Sequence, residues 1–214
     1  GRWPESPQEC GIAGFEGKTK ALMTAAHELG RRILTLLEPR ACPKVKRGTL
    51  AAAHNLWGDD GQCTLRLIHY PPVEKASEAP PGHWRAGPHT DWCCITLLFQ
   101  RPGNEGLECA QNPKAKSRDR ISGSGDGTDR KSSAWLKVDP VPGGITINIG
   151  DMLGRWSDGR LLSNLHRVRM PTAEECNPPR PRYSMAFFMQ ADKKVLIESE
   201  QHEAITAGDY ILGR

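Results

Sequence analysis

Apolar residues follow two different periods along this chain, and the change of period predicts one long helix followed by many short strands. Over residues 18–38 the apolar positions recur at intervals of four and three, which places them along one side of a helix: Leu22, Ala26, Leu29, Ile33 and Leu36. Pro39 is expected to end this helix, because proline lacks the backbone N–H that a helix interior needs. A second, shorter helical piece is predicted within residues 41–61.

From residue 63 onward the pattern is typical of β-strands separated by turn residues. The predicted strands are short and rich in apolar and β-branched residues: 63–70, 93–100, 107–111, 134–138, 145–149, 161–169, 182–190 and 195–198. A short helical element is predicted at 150–153, and Thr206 begins a last helix. Many short strands after an initial helix predict a mainly β fold, a double-sheet barrel or jelly roll with flanking α-helices.

Length and composition favour one domain over residues 1–214. With 214 residues, of which 37% are hydrophobic, the chain can bury one sizeable core. We expect residues 1–62 to form a helical support segment and residues 63–205 the jelly-roll core. Residues 112–133 are rich in Lys, Arg, Asp, Ser and Gly, and are expected to be a mobile insertion because they cannot bury enough apolar surface.

Charge and cysteine content narrow the class of protein. The net charge of +4 is mild and the basic residues are scattered, which disfavours a nucleic-acid partner. The chain contains no stretch of about 18 consecutive apolar residues, so no membrane-spanning helix is predicted. The seven cysteines are odd in number and form no CxxC pair, so reduced core cysteines and a cytoplasmic location are expected. We expect a monomer with a small-molecule substrate.

A candidate metal site begins at His89 and Asp91, which are two positions apart and would leave one face of an extended strand. One further histidine on a neighbouring strand would complete a facial triad of two histidines and one carboxylate, with three positions left open on the metal. His166 is the best candidate for the third ligand.

Arg182 and Ser184 are also two positions apart, so they would share a strand face and could together hold a carboxylate. Arg66 shares a face with Tyr70 in the first predicted strand. Two alternatives are open for Arg66: a buried cation that binds a substrate carboxylate, or a solvated residue on an edge strand. Asp151 is interpreted as a turn or helix-cap residue in preference to a neighbour of the metal ligands.

Several blocks of this sequence together resemble the isopenicillin N synthase-like branch of the iron(II)/2-oxoglutarate-dependent dioxygenases. The blocks occur in order between Thr64 and the end of the chain: Leu-Arg-Leu-Ile-His-Tyr-Pro-Pro, Pro-His-Thr-Asp-Trp, Ile-Thr-Leu-Leu-Phe-Gln, Ile-Asn-Ile-Gly-Asp-Met-Leu-Gly-Arg-Trp, Leu-His-Arg-Val and Arg-Tyr-Ser-Met-Ala-Phe-Phe. The resemblance implies a distorted double-stranded β-helix against which the first long helix packs. It also implies that the family's N-terminal region is absent here, and that residues 112–133 are longer than the usual turn.

The resemblance further implies the cofactors and the residues that bind them. His89, Asp91 and His166 would bind Fe(II), while Arg182, Ser184 and Tyr70 would bind 2-oxoglutarate. With O2, the enzyme would oxidise a small organic molecule by hydroxylation, desaturation or ring closure, and release succinate and CO2. Substrate contacts are expected from three residues: Arg66, Asn148 and Phe187. For the last two, a place in the core is the alternative.

Two other functions stay open from the sequence. One is an iron oxidase of the same fold that uses no 2-oxoglutarate and takes all its electrons from the substrate. The other is a truncated, non-catalytic binding domain. Tyr70, next to the Arg182 and Ser184 pair in the family pattern, argues against the first, and a bound metal would exclude the second.

Overall fold

Two four-stranded antiparallel sheets form the body of the protein, which is described here from a computed structural model covering residue 3 and residues 11–75, 83–110 and 135–214. The predicted insertion at 112–133 lies outside these residues. The helices are α1 (Phe15–Ala41), α2 (Thr49–Ala52), α3 (Asp151–Trp156) and α4 (Ala207–Leu212). The strands are β1 (Thr64–Tyr70), β2 (Trp84–His89), β3 (Ile95–Phe99), β4 (Leu107–Ala110), β5 (Trp135–Lys137), β6 (Ile145–Ile149), β7 (His166–Arg169), β8 (Arg182–Met189), β9 (Leu196–Ile197) and β10 (Ile205–Thr206).

The strand order is β1-β8-β3-β6 in the major sheet and β2-β7-β4-β5 in the minor sheet, and β9 and β10 form a separate hairpin. All pairings within the two sheets are antiparallel, and most join strands distant in sequence, as a jelly roll requires. The prediction of a mainly β, jelly-roll fold is therefore confirmed. Strand β2 is not among the strands predicted above, because Gly87 and Pro88 within it are typical of loops.

Helix α1 packs against one face of the major sheet. Its buried residues recur every three or four positions, as Met23, Ala26, Gly30, Leu34 and Glu38. This stripe is displaced from the predicted one, and Leu36 is 80% exposed. A Cβ on Gly30 would lie 2.9 Å from Met189 Cγ, so the missing side chain lets the helix approach β8 closely.

The prediction that Pro39 ends α1 is wrong, because the helix continues to Ala41. Pro39 and Thr35, whose carbonyl loses its helical partner, are both exposed, so that carbonyl can turn toward water. Glu38 is buried beside Pro39, and its two carboxylate oxygens accept hydrogen bonds from the backbone N–H groups of Gly48 (2.5 Å) and Leu50 (2.8 Å). The C-terminal turn of α1 thus holds the first turn of α2.

On the face of the minor sheet opposite His166, an arginine is stacked between two tryptophan rings. The Arg167 guanidinium lies between two indole rings, 3.9 Å from the centroid of Trp84 and 3.8 Å from that of Trp135. Its Nε donates a hydrogen bond of 2.7 Å to Glu108. Side chains from all four strands therefore lock together next to His166, the first residue of β7.

His54 links stability to pH. It is buried beneath α1, where its Nδ1 lies 2.7 Å from Leu50 O, and burial lowers its pKa to about 4. Since the unfolded imidazole has a pKa of about 6.5, the neutral side chain stabilises the fold fully above that pH, and stability falls as the pH drops toward 4. We expect His54→Gln to remove about 1 kcal/mol of the difference in unfolding free energy between pH 7.5 and pH 5.5. Urea unfolding at both pH values measures this, and identical differences for both proteins would contradict it.

Candidate metal centre

The predicted metal ligands meet at the edge where the two sheets approach each other. His89 ends β2 and pairs directly with His166, the first residue of β7, so both side chains lie on the same face of the minor sheet. Asp91 follows two residues after His89 and is 8% exposed. One potential ligand atom from each of the three residues lies within 4.8 Å of the others. The structure thus brings together the three residues that the sequence singled out.

Each histidine is oriented by the backbone. Nδ1 of His89 lies 2.8 Å from Gly87 O, and Nδ1 of His166 lies 3.0 Å from Asn164 O. A carbonyl oxygen can only accept, so Nδ1 is the donor in both rings, and the neutral form of each imidazole then has its free lone pair on Nε2. This is the tautomer that a metal bound through Nε2 requires.

The two carboxylate oxygens of Asp91 have different roles. Its Oδ2 accepts hydrogen bonds from the Thr96 hydroxyl (2.6 Å) and from Nδ2 of Asn148 (2.8 Å). Its other oxygen, Oδ1, points toward the histidines and lies 3.7 Å from Nε2 of His166. Thr96 is on β3 and Asn148 on β6, so the major sheet orients the ligand that completes the triad. One oxygen is held and the other is available to a cation.

The electrostatics of the triad suit a divalent ion. Burial lowers the pKa of His166 below its usual value, while the charge of Asp91 opposes that shift. The ring is therefore neutral near pH 7, which is the form that binds metal. Two imidazoles and one carboxylate whose ligand atoms converge within 4.8 Å form the donor set of a non-haem iron(II) centre. His89, Asp91 and His166 therefore fit an iron(II) ion.

A cavity of about 720 Å³ opens beside His89, which is exposed. Asp151, Tyr210 and Arg214 are among its lining residues. The interpretation of Asp151 as a helix cap is wrong, because no side chain caps α3. Instead Asp151 accepts a hydrogen bond of 3.0 Å from the hydroxyl of Thr90, which lies between His89 and Asp91 in residues 89–94, hereafter the metal segment. Its backbone N–H also donates to Asp91 O at 2.7 Å.

Arg182 forms a second, separate group. It begins β8, is 2% exposed, and has its Nε within 3.2 Å of the carbonyl oxygens of Asn104 and Glu105. Its Nη1 lies 3.4 Å from the Ser184 hydroxyl, and its Cζ lies 5.1 Å from the centroid of the Tyr70 ring. The predicted trio of Arg182, Ser184 and Tyr70 is thus assembled in one place.

No carboxylate lies within 4 Å of the Arg182 guanidinium among the residues that the structure describes. Burial lowers the pKa of Arg182, yet an arginine stays charged in proteins. A buried cation without an anion is costly, and a bound carboxylate would remove that cost. The site is therefore suited to an acid ligand.

The predicted substrate residues separate into three cases. Phe187 does not face the cavity: it is fully buried in the core with Leu34, because β8 alternates and Phe187 points away from Arg182. Arg66 is exposed on the edge strand β1, so the alternative of a buried Arg66 is wrong. Asn148 is engaged with Asp91, as described above.

Two residues on the inner faces were missed. Phe188 lies on the same face of β8 as Arg182 and Ser184, and the Cζ of Arg66 lies 5.4 Å from its ring centroid. Cys109 on β4 pairs directly with His166 and so shares its face of the sheet. Strict alternation counted from Arg182 would have identified Phe188, whereas the position of Cys109 follows from the register of β4 against β7, which no local pattern reports.

Comparisons with known proteins agree with this geometry. The sequence profile of the 2OG-Fe(II) oxygenase superfamily matches residues 61–191. The 2-oxoglutarate-dependent dioxygenase htyE of Aspergillus rugulosus is 31% identical over 98% of this chain and 58% of its own length. This chain thus spans less than two thirds of the length of that relative.

Two solved structures share the fold. A full-length Neurospora crassa protein in complex with alpha-KG and thymine has a TM-score of 0.72 and 27% identity, over 98% of this chain and 58% of its own. A putative 2OG-Fe(II) oxygenase family protein from Caulobacter crescentus has a TM-score of 0.72 and 29% identity, over 99% of this chain and 60% of its own. The superfamily-level resemblance is confirmed, and the branch within it stays a prediction.

Proposed function

The chain belongs to the 2OG-Fe(II) oxygenase superfamily, and on that premise we propose that it is a dioxygenase that oxidises a small organic molecule. The observation that carries this proposal is the triad of His89, Asp91 and His166. Three ligand atoms converge within 4.8 Å, and the remaining polar atoms of the same side chains are already held by the protein. These residues would hold iron(II).

In this superfamily, bound iron(II) with 2-oxoglutarate and O2 supplies an oxidative decarboxylation to succinate and CO2, coupled to hydroxylation, desaturation or ring closure of a substrate. The protein's own part is placement. Thr96 and Asn148 keep Oδ1 of Asp91 turned toward the metal position, and the backbone keeps both imidazoles aligned with it. The cavity beside His89 gives a substrate access to that position.

Arg182 is proposed to bind the distal carboxylate of 2-oxoglutarate. Its Nη1 and the Ser184 hydroxyl lie next to each other, and Tyr70 borders them. A guanidinium offers two parallel N–H donors to a carboxylate, which an ammonium cannot reproduce. Among the described residues this buried cation has no ion-pair partner, which also disfavours the alternative of an oxidase that uses no 2-oxoglutarate.

The described residues favour a substrate that contains a planar ring. Arg66 and Phe188 lie 5.4 Å apart, from guanidinium carbon to ring centroid, on the face of the major sheet that carries Arg182 and Ser184, here called the anchor face. A flat molecule stacks readily on a guanidinium plane or on a phenyl ring. The Neurospora crassa structure with thymine is consistent with this class. Substrate contact by Asn148 stays a prediction, since its Oδ1 has no hydrogen-bond partner among the described residues.

The setting of the enzyme is proposed as cytoplasmic, monomeric and without a nucleic-acid partner. All six cysteines in the described part of the chain are free, which supports a reducing compartment. Within the same residues, none of the helices has the length and apolar character needed to cross a bilayer. Light scattering on the purified protein measures the oligomeric state directly.

Anaerobic titration of 2-oxoglutarate into the iron(II)-loaded protein tests the proposed function. We expect a metal-to-ligand charge-transfer absorption band in the wild type. For Arg182→Met, the Kd for 2-oxoglutarate should rise by about 100-fold, because a buried charge-assisted pair is lost. Arg101→Met is the matched control, since Arg101 is exposed and lies against Tyr183, which points away from the anchor face. A wild type without the band would refute the function.

A further inference from the structure

A cavity of about 240 Å³ has Arg182 in its wall, and a second arginine, Arg85, lines the same space. Arg85 lies on β2, four residues before His89, so its Cα is roughly 13 Å along the strand from that of the metal ligand. Arg169, at the far end of β7 from His166, also lines the cavity. The cavity is thus displaced along both strands from the metal position.

The side chain of Arg85 is only partly used. Its Nη2 donates a hydrogen bond of 3.1 Å to the carbonyl of Pro71, immediately after Tyr70. Its Nε is buried and has no hydrogen-bond partner. A buried donor without an acceptor is costly, so an acceptor that is not part of the protein would be favourable here.

Four arginines and three glutamates line this cavity, and within the described residues the guanidiniums of Arg85 and Arg182 form no ion pair. Both carboxylate oxygens of Glu175 lie 2.7 Å from Arg169, which neutralises that cation. Neither Arg85 nor Arg182 has a carboxylate within 4 Å in the portion of the chain that the structure describes. Burial lowers the pKa of Arg182 most; Tyr70 raises it, the positive charge of Arg85 lowers it, and Glu105 raises it. Two neighbouring guanidiniums that form no ion pair favour binding of an anion, although Glu105 also lines the cavity.

We propose that Arg85 is a specificity-determining residue which, with Arg182, holds the distal carboxylate of the 2-oxo acid from a second side. This inference rests on the proposed function and extends it, because it makes selection for a dicarboxylic acid depend on two arginines. Arg182 is fixed by the carbonyl groups of Asn104 and Glu105. The hydrogen bond from Arg85 to the carbonyl of Pro71 places it beside the end of β1, the strand that carries Tyr70.

The competing interpretation is that Arg85 only fastens β2 to the end of β1. Two ligands separate the interpretations: 2-oxoglutarate, and 2-oxopentanoate, which has a methyl group in place of the distal carboxylate. Binding of both to the iron(II)-loaded protein is followed anaerobically by the charge-transfer band and by calorimetry. The exposed Arg180, which lines the same cavity, provides the control variant Arg180→Gln.

For Arg85→Gln we expect the Kd of 2-oxoglutarate to rise by about 10-fold and that of 2-oxopentanoate to stay unchanged. Arg85→Lys, which retains the charge, should lose less, and Arg180→Gln should match the wild type. An equal loss for both ligands, or no loss for either, would overturn the role of Arg85 while the wild type still binds 2-oxoglutarate. If the wild type itself does not bind 2-oxoglutarate, the proposed function fails, and this inference fails with it.

Discussion

Replacing Gly150 by alanine is expected to lower the free energy of unfolding by about 3 kcal/mol and to weaken metal binding by roughly 100-fold. A Cβ at this position would lie 2.1 Å from the carbonyl oxygen of Cys93 and 3.0 Å from that of Asp91. Both neighbours are backbone atoms, so the metal segment itself would have to move. The N–H of Gly150 also donates to Cys94 O at 3.0 Å, which holds the two segments together.

Gly154, four residues later in α3, is the matched control for this substitution. The nearest atom to a Cβ there is Leu161 O at 3.5 Å, an ordinary contact. Gly154→Ala should therefore leave both quantities unchanged or raise stability slightly, since alanine is the better helix former. Urea unfolding and metal titration of both variants measure the two effects. Equal behaviour of Gly150→Ala and Gly154→Ala would show that the close approach does not control the site.

Changes at Asp91 and at its supporting residues are expected to weaken metal binding in two clearly different steps. Asp91→Ala removes one of three ligands and the only negative charge among them, so affinity should fall by roughly 1000-fold and turnover should be lost. Thr96→Val keeps the shape but removes the hydroxyl that holds Oδ2 at 2.6 Å. We expect a loss of about 10- to 100-fold for this variant.

Thr146→Val supplies the control for Thr96→Val. It makes the same chemical change on β6, two residues before Asn148, at a hydroxyl that contacts no metal ligand. Its affinity for iron(II) or manganese(II), measured anaerobically by titration calorimetry, should equal that of the wild type. If Thr96→Val also retains full affinity, the hydrogen bond to Asp91 does not orient the ligand, and the fixed geometry of the carboxylate has another cause.

The proximity of the candidate metal ligands His89 and Asp91, and of Arg182 to Ser184, could be predicted because each pair is two residues apart in an extended stretch of chain. His89 and Asp91, or Arg182 and Ser184, need only a locally extended chain to act together. Phe187 shows that the prediction fails when the residue count is off by one. Phe187 was predicted to contact the substrate, but it lies in the core, and the next residue, Phe188, lies on the face of Arg182. Alternation counted from Arg182 gives the observed result.

Other features needed information that lies far away in the chain. Strand β2 contains Gly87 and Pro88, which are typical of loops, and it forms because β7 offers its edge. Pro39 stays within α1 because its face of the helix is exposed. The part played by Asn148 follows from the approach of β6 to the metal segment, which no local pattern reports.

The two kinds of support beneath the triad imply unequal tolerance to mutation. The imidazoles are oriented by the backbone carbonyl groups of Gly87 and Asn164. Every residue type has such a group, so substitutions at those two positions need not disturb the histidines. The carboxylate depends on the side chains of Thr96 and Asn148. Random substitutions are therefore expected to disturb the position of the Asp91 carboxylate more often than the orientation of the two histidines. Metal binding would then be lost first through Asp91, while both imidazoles stay in place.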